Sequence, residues 1–469
     1  MNADYLPSRY VEEAPLPDGR TLLANLLWRT FLEVSPQEAP AARAILRGDG
    51  AGAPEALRQR LVDARMLIAA SVDEAGFMSR RYEQTRYATH VLGLTLAPTL
   101  DCNLACVYCY ENKRPGRMSA ETEQQVADYV RRMLPGRKSV AVTWHGGEPL
   151  LCRETILRLS RAFIAMSDHE GASYHAFMLT NGYLLTPPVV EELAALGHWR
   201  RVQVTIDGTA ASHDAKRPAK GGGATFARIS ENLCHAATRL PMVVRGNVDL
   251  LNPAGCHALL EHLAALGLAG RIEVYFAPVH PFGQGCRDLA DKAAVSVASN
   301  AQFAPIELEL RQHACALGFS DRGYLARPWL QQCQATSTHS VVIEPDGSLQ
   351  RCTLEMGEDD RRIGHVSRPI EVNSENVLRW LRFDPTRQPP CRECRVLPVC
   401  FGYCPHRHLS GAPEEFACAE IRYRLRESVV FEYAARHRPD LLAALGPARP
   451  AAAPACPPEC GGAPWTNET

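Results

Sequence analysis

The sequence predicts an α/β protein built on parallel strands, and three observations carry that prediction. Six strand-like runs, at residues 91–97, 139–144, 174–179, 201–206, 242–248 and 272–277, alternate with amphipathic helical stretches at 120–134, 153–164, 189–196, 226–240 and 254–266. Connections of that kind join parallel strands through right-handed crossovers. Motifs that carry chemistry follow the C-terminal ends of these strands, where such folds build their sites. Eight repeats would close a barrel, and six fall short of closure.

The flanks read differently. Residues 1–90 contain no cysteine; within them 22–28 look strand-like, while 40–47 and 53–68 look helical, the second with Leu57, Leu61, Met66 and Leu67 near helical spacing. After the repeat of residues 91–280 come a helical bridge at 281–330, a cysteine-rich domain at 331–425 and a C-terminal helix at 426–445. The segment 446–469 is rich in Pro, Ala and Gly and is expected to be disordered.

At 469 residues, 46% hydrophobic and 22% charged, the chain can bury the cores of two to four domains, or of one large barrel with additions. A net charge of -1 gives no general affinity for nucleic acid or an anionic membrane. No apolar run approaches a membrane span and the first residues lack a signal-peptide core, so a cytoplasmic location is expected. Seventeen cysteines in a large chain of this kind point to metal rather than disulfides. Cys152, Cys234, Cys256, Cys286, Cys315, Cys456 and Cys460 are mostly isolated and read as packing thiols. The other ten fall at motif-like spacings.

Cys102, Cys106 and Cys109 lie in Leu100-Asp-Cys-Asn-Leu-Ala-Cys-Val-Tyr-Cys-Tyr110, directly after the first strand. Three thiolates are one short of the four that complete a [4Fe–4S] cluster, which leaves one iron open. A zinc site would want four tetrahedral ligands, and no fourth Cys or His lies near in sequence. The spacing Cys-x3-Cys-x2-Cys, with Tyr108 before the last Cys, resembles the radical S-adenosylmethionine (radical SAM) enzymes. The resemblance implies a partial (β/α)6 TIM barrel, with the amine and carboxylate of SAM on the open iron.

Four further motifs fit that family. Trp144-His-Gly-Gly-Glu-Pro149 matches its Gly-Gly-Glu-Pro, placing Gly146, Gly147 and Glu148 at the SAM amine; glycines there allow close backbone approach. Thr180-Asn-Gly182 ends the third strand, where the family contacts the SAM ribose, which implicates Asn181. Thr205-Ile-Asp-Gly208 resembles Ser-x-Asp-Gly, with Thr205 at the hydroxyl that contacts SAM; Asp207 fits ordinary turn chemistry as well. His213-Asp-Ala-Lys-Arg217 matches a segment of the sulfatase-maturase-like branch, where Arg217 would pair with the SAM carboxylate through its planar fork. His145 reads as a packing or positioning residue, and no catalytic residue is assigned.

The second cysteine group is as specific. Cys333, thirteen residues, Gly347, four residues and Cys352 precede Cys391-x2-Cys394-x5-Cys400-x3-Cys404, and Cys418 follows after thirteen more. The segment Val341-Val-Ile-Glu-Pro-Asp-Gly-Ser-Leu349 reads as a β-hairpin. A zinc ribbon would use only the central four cysteines. The whole pattern resembles the SPASM domain, which carries auxiliary [4Fe–4S] clusters. By that resemblance Cys391, Cys394, Cys400 and Cys418 hold an outer cluster, and Cys333, Cys352 and Cys404 an inner one. Seven ligands leave the inner cluster one short, because residues 327–332 contain no Cys. Cys315 could serve if the bridge folds back; otherwise an open iron could bind a substrate thiol.

The N-terminal region resembles winged-helix peptide-recognition domains, which take up a leader peptide as an edge strand; the alternative is a plain cap over the barrel. Radical SAM enzymes with SPASM domains mostly modify peptides or proteins, using an external electron donor of the flavodoxin or ferredoxin type. The expectation is therefore a maturase that crosslinks a ribosomally made peptide through a thioether or C–C bond. Formylglycine generation is the alternative, but that branch places an Asp after the Cys of the Gly-x4-Cys motif, whereas Thr353 follows Cys352 here. A non-catalytic iron–sulfur carrier would have no need of Gly146, Gly147, Glu148 or Arg217.

Overall fold

The computed structural model describes residues 5–251, 253–281, 295–320, 323, 325, 333–368, 370 and 372–445. The expected tail at 446–469, residues 282–294, 321, 322, 324 and 326–330 of the bridge, and Cys286, Cys456 and Cys460 lie outside the described residues. Six parallel strands form the centre: β6 (Val91–Leu96), β7 (Ser139–Trp144), β8 (Ser173–Thr180), β9 (Trp199–Thr205), β10 (Met242–Val248) and β11 (Glu273–Pro278), adjacent in chain order. Between them run α4 (Ala120–Met133), α5 (Arg153–His169), α6 (Pro187–Ala194), α7 (Ala210–Lys216), α8 (Phe226–Ala236) and α9 (Pro253–Ala265).

Alternation along each strand decides which side chains meet the helices and which face the lumen. Val140, Val142 and Trp144 of β7 and Ala176 and Met178 of β8 pack into the main core with Val126, Ile156 and Phe163 from the helices. The opposite face carries Thr95, Thr143, Gln203, Thr205, Arg245 and Asn247, which line a cavity. A polar lumen under an apolar outer layer makes this a binding barrel rather than a filled one.

The sheet continues beyond the six strands. β12 (Ser340–Ile343) pairs in parallel with β6, from Ser340 opposite Gly93 to Ile343 opposite Leu96. β13 (Ser348–Gln350) and β14 (Gly364–His365) then complete a nine-stranded sheet. The hairpin turns at Gly347, where φ is +86° and a Cβ would stand 2.7 Å from the His365 ring. The cysteine-rich segment is thereby stitched onto the barrel edge.

The first residues form β1 (Tyr5–Pro7), β2 (Val11–Pro15), β3 (Thr21–Asn25), β4 (Thr30–Val34), α1 (Ala39–Leu46), α2 (Glu55–Asp63), β5 (Leu67–Ala69) and α3 (Glu74–Tyr87). The helix expected over 53–68 stops at Asp63. Arg65 turns left-handed with φ 56°, its N–H bonds Val62 O, the Met66 N–H bonds Leu61 O, and the chain leaves as β5 against β1. That is a Schellman stop with Arg where glycine is usual, so composition did not signal it. One face of the β2–β3–β4 sheet packs on α1 and α2 through Leu23, Ile45 and Leu61. The other packs chiefly on α11 (Leu425–His437), which follows α10 (Asn300–Ala316) along the chain, through Leu22, Val429 and Val430. Among the described residues no helix is long and apolar enough to cross a membrane.

Candidate active site

The loop after β6 carries Cys102, Cys106 and Cys109 over the barrel mouth. It is strapped by residues 216–220: the Ala105 N–H bonds Pro218 O at 2.9 Å, Val107 bonds Lys216 O at 2.9 Å, and Lys220 bonds Asn103 O at 2.7 Å. The turn after β7 presses on its other side, so closely that a Cβ on Gly147 would lie 2.2 Å from Asp101 O. The three thiols line a cavity of about 500 Å³ together with Gly146, Gly147, Asn181, Thr205 and Arg217. The structure thus brings nearly all the expected cofactor residues to one space, of a size that suits a small-molecule site.

Glu148 is the exception. It is fully buried, does not line the cavity, and accepts hydrogen bonds from the Thr180 hydroxyl (2.7 Å), the Asn181 N–H (2.8 Å) and the Leu150 N–H (3.0 Å). Its carboxylate ties the β7 turn to the end of β8 rather than facing a ligand. Asp207 is likewise turned inward, accepting from the Tyr108 hydroxyl and from the Asn247 N–H at 2.9 Å.

Arg217 donates to the Tyr108 hydroxyl at 2.8 Å, and its buried Nε has no hydrogen-bond partner. An orphaned guanidinium N–H beside three thiols fits a ligand that brings a carboxylate to the cluster loop. Burial pushes the Cys102 thiol up to about 11 and Cys109 up to about 12. Such thiols stay protonated alone and ionise only when a metal takes the proton's place.

Tyr110, Glu111 and His145 were not singled out as site residues, yet all three line the cavity. His145 Nε2 is 3.0 Å from the Tyr110 hydroxyl and its Nδ1 is 3.3 Å from Glu111. Burial, with Arg245 nearby, lowers His145 to about 4, so the ring is neutral. A carboxylate two residues past the last cysteine was the available signal.

The later cysteines sort into two sets. Cys391, Cys394, Cys400 and Cys418 line one small enclosed cavity. Burial and then the neighbouring Cys333 hold the Cys352 thiol well above its usual range, with Cys404 also close. Phe401, Gly402 and Tyr403 all take positive φ, and this left-handed turn sends Cys400 to the first set and Cys404 to the second. Thr353 and Leu354, next to Cys352, reach the main cavity. Cys315 does not join them. It ends α10 near Ser320, which bridges Glu273 at the start of β11, the opposite end of the barrel from the mouth.

The radical SAM superfamily model matches residues 96–245. The mycofactocin maturase MftC of Mycobacterium tuberculosis is 30% identical over 332 residues, covering 66% of this chain and 77% of that protein. This chain belongs to the radical SAM superfamily. As a member it is an enzyme of SAM radical chemistry, for which one [4Fe–4S] cluster and SAM are the family's cofactors. The serine-type anaerobic sulfatase-maturating enzyme of Klebsiella aerogenes is 25% identical over 351 residues, 70% of this chain and 82% of that one. Among solved structures, anSMEcpe with bound AdoMet and the Cp18Cys peptide superposes with TM-score 0.54 at 17% identity, covering 76% of this chain and 99% of that one. Streptococcus suis SuiB bound to its precursor peptide SuiA superposes with TM-score 0.51 at 14% identity, covering 89% and 99%. These two likenesses concern the fold.

Proposed function

We propose that this radical SAM enzyme is a peptide maturase that removes hydrogen from a residue of a ribosomally made peptide and forms a thioether or C–C crosslink. One observation carries the reading: a single cavity joins Cys102, Cys106 and Cys109 to Thr353, Leu354 and Arg407 of the cysteine-rich region. A substrate in that space touches both the radical-generating end and the segment proposed to hold auxiliary clusters.

In this reading Cys102, Cys106 and Cys109 hold the first cluster, and Arg217, Thr205, Asn181, Gly146 and Gly147 seat SAM. Reductive cleavage of SAM there supplies a 5′-deoxyadenosyl radical. Cys391, Cys394, Cys400 and Cys418 form the outer auxiliary site, while Cys333, Cys352 and Cys404 form an inner site with three thiols. The chain's own task is to fix the target carbon in the lumen and exclude water. Removing two hydrogens in a crosslink also releases an electron, for which the auxiliary sites offer a route toward an external donor and acceptor protein.

The N-terminal sheet is proposed to receive a leader peptide. The three-stranded sheet β2–β3–β4 followed by α1 and α2, with α3 after β5, supports a winged-helix-like arrangement, and β4 ends the sheet with no strand on its outer edge among the described residues.

The test is anaerobic incubation of reconstituted enzyme with SAM, dithionite and a candidate precursor peptide. Formation of 5′-deoxyadenosine together with loss of two hydrogens from the peptide supports the reading. A product captured by an aldehyde-reactive hydrazide would instead indicate formylglycine. Absence of 5′-deoxyadenosine from fully loaded protein would overturn it.

A further inference from the structure

Arg245 is a charge inside a barrel strand, in the otherwise apolar and small run Met242-Val-Val-Arg-Gly-Asn-Val248. Strand alternation points it into the lumen, and it lines the main cavity. Both of its hydrogen-bond partners are neutral. Its Nε donates to Asn247 Oδ1 at 3.0 Å, and the Tyr275 hydroxyl bonds it from β11. Tyr275 is fixed in turn by donating to Gln203 at 2.7 Å. These contacts set the plane of the guanidinium and leave further N–H donors for the cavity.

Nothing among the described residues neutralises it. Arg217, by contrast, lies near Asp207 and the Cys106 thiol. Glu111 is the one carboxylate lining the cavity among the described residues, and it faces His145 and Lys113 on the cluster-loop side. Taking a guanidinium out of water without a counter-charge is costly unless a ligand brings one. Asn247 also donates to the Tyr108 hydroxyl at 3.2 Å, and Tyr108 accepts from Arg217. Two neutral groups therefore separate the two guanidiniums, which puts Arg245 next to the space proposed for SAM yet apart from it.

We infer that Arg245 is the carboxylate-binding subsite of the substrate peptide, seating an Asp or Glu side chain or a C-terminal carboxylate beside the residue to be modified. The inference rests on the peptide-maturase reading and deepens it. A planar fork with a neutral frame recognises carboxylate oxygens in pairs, and its position in the lumen would fix register along the peptide rather than overall affinity alone. Sequence context around the target would then include an acid at a set distance.

The test uses immobilised, cluster-loaded protein with SAM and short synthetic peptide mixtures of otherwise random sequence. One mixture fixes Glu with an amidated C-terminus, one fixes Gln with a free C-terminal acid, and one fixes Gln with an amide; captured peptides are counted by mass spectrometry. The wild type should retain one acid-bearing mixture about tenfold over the neutral one, and which mixture it retains identifies the source of the carboxylate. Arg245→Gln should abolish the preference and Arg245→Lys should keep part of it. Equal retention of all mixtures, or a preference that survives in Arg245→Gln, would overturn the inference while leaving the maturase reading intact. Loss of SAM binding in Arg245→Gln with its peptide preference unchanged would overturn it too, reassigning the residue to SAM. If no mixture is retained at all, the peptide reading itself fails and the subsite with it. Should Arg245→Gln not load iron, the wild-type comparison and Arg245→Lys decide the matter.

Discussion

The Arg422 guanidinium donates to the Cys418 thiol, with Nη1 3.2 Å from Sγ, while its Nη2 lies 2.8 Å from Glu414. Cys418 shares its enclosed cavity with Cys391, Cys394 and Cys400. A cation hydrogen-bonded to a ligand sulfur favours the more negative, reduced state of a cluster. Arg422→Gln is expected to lower the midpoint potential of the auxiliary cluster proposed at these four cysteines by roughly 60 mV. An EPR-monitored redox titration reads this directly, and the signal of the SAM-site cluster should not move. An unchanged midpoint would show that the contact is structural only.

Gly147 gives a second prediction. An added Cβ would meet three backbone atoms, Asp101 O at 2.2 Å, Asp101 C at 2.6 Å and Leu100 O at 2.7 Å. Backbone cannot swing aside as a side chain can, so Gly147→Ala must open the loop that holds Cys102. With the proposed two auxiliary clusters also present, the expected protein is folded and loses about a third of its iron, all from the SAM-site cluster. Iron analysis with EPR checks this; full loading of all three sites would contradict it.

In the proposed SAM site, the contacts of Glu148 predict that it acts through its neighbours and not by touching SAM. Its carboxylate holds Asn181, whose side chain donates to Asn103 at 2.8 Å beside Cys102. Glu148→Gln turns one acceptor into a donor facing an N–H, a mismatch costing about 2 kcal/mol in a buried site. Weaker SAM binding, by about tenfold, should accompany a lower melting temperature, with cluster content retained. SAM titration by calorimetry separates this from direct contact, because the conservative Glu148→Asp should restore neither fully.

The six central strands and the cysteine sets were legible because their signals are local: alternation, crossover length and fixed ligand spacing. Pairing of β12 with β6 was not legible, since Ser340 and Gly93 meet only through long-range topology. The same holds for Cys315, whose distance from the mouth depends on where α10 runs. Arg65 hid a helix stop because the left-handed position there is not a glycine. Glu148 kept its motif but not its expected contact, since sequence places a residue in a turn without saying which way it faces. Arg245 could have been noticed as a lone charge in an apolar strand.

His213 makes stability depend on pH. It is fully buried, accepts from the Asp207 N–H at Nδ1 (3.1 Å), and its Nε2 lies 3.1 Å from the Thr225 hydroxyl, which itself donates to Arg217 O. Burial, reinforced by Arg217, lowers its pKa from 6.5 to about 4. Protonation would place a proton where the Asp207 N–H already donates. The unfolded chain therefore binds this proton at a higher pH than the folded one does. Its contribution is complete above about pH 6.5 and is lost as pH falls toward 4. Between pH 7 and 5 the loss from this residue should be about 2 kcal/mol. Thermal unfolding followed by tryptophan fluorescence should show wild type losing stability across that window more steeply than His213→Gln. Parallel slopes for the two proteins would show that His213 takes up its proton at the same pH folded and unfolded.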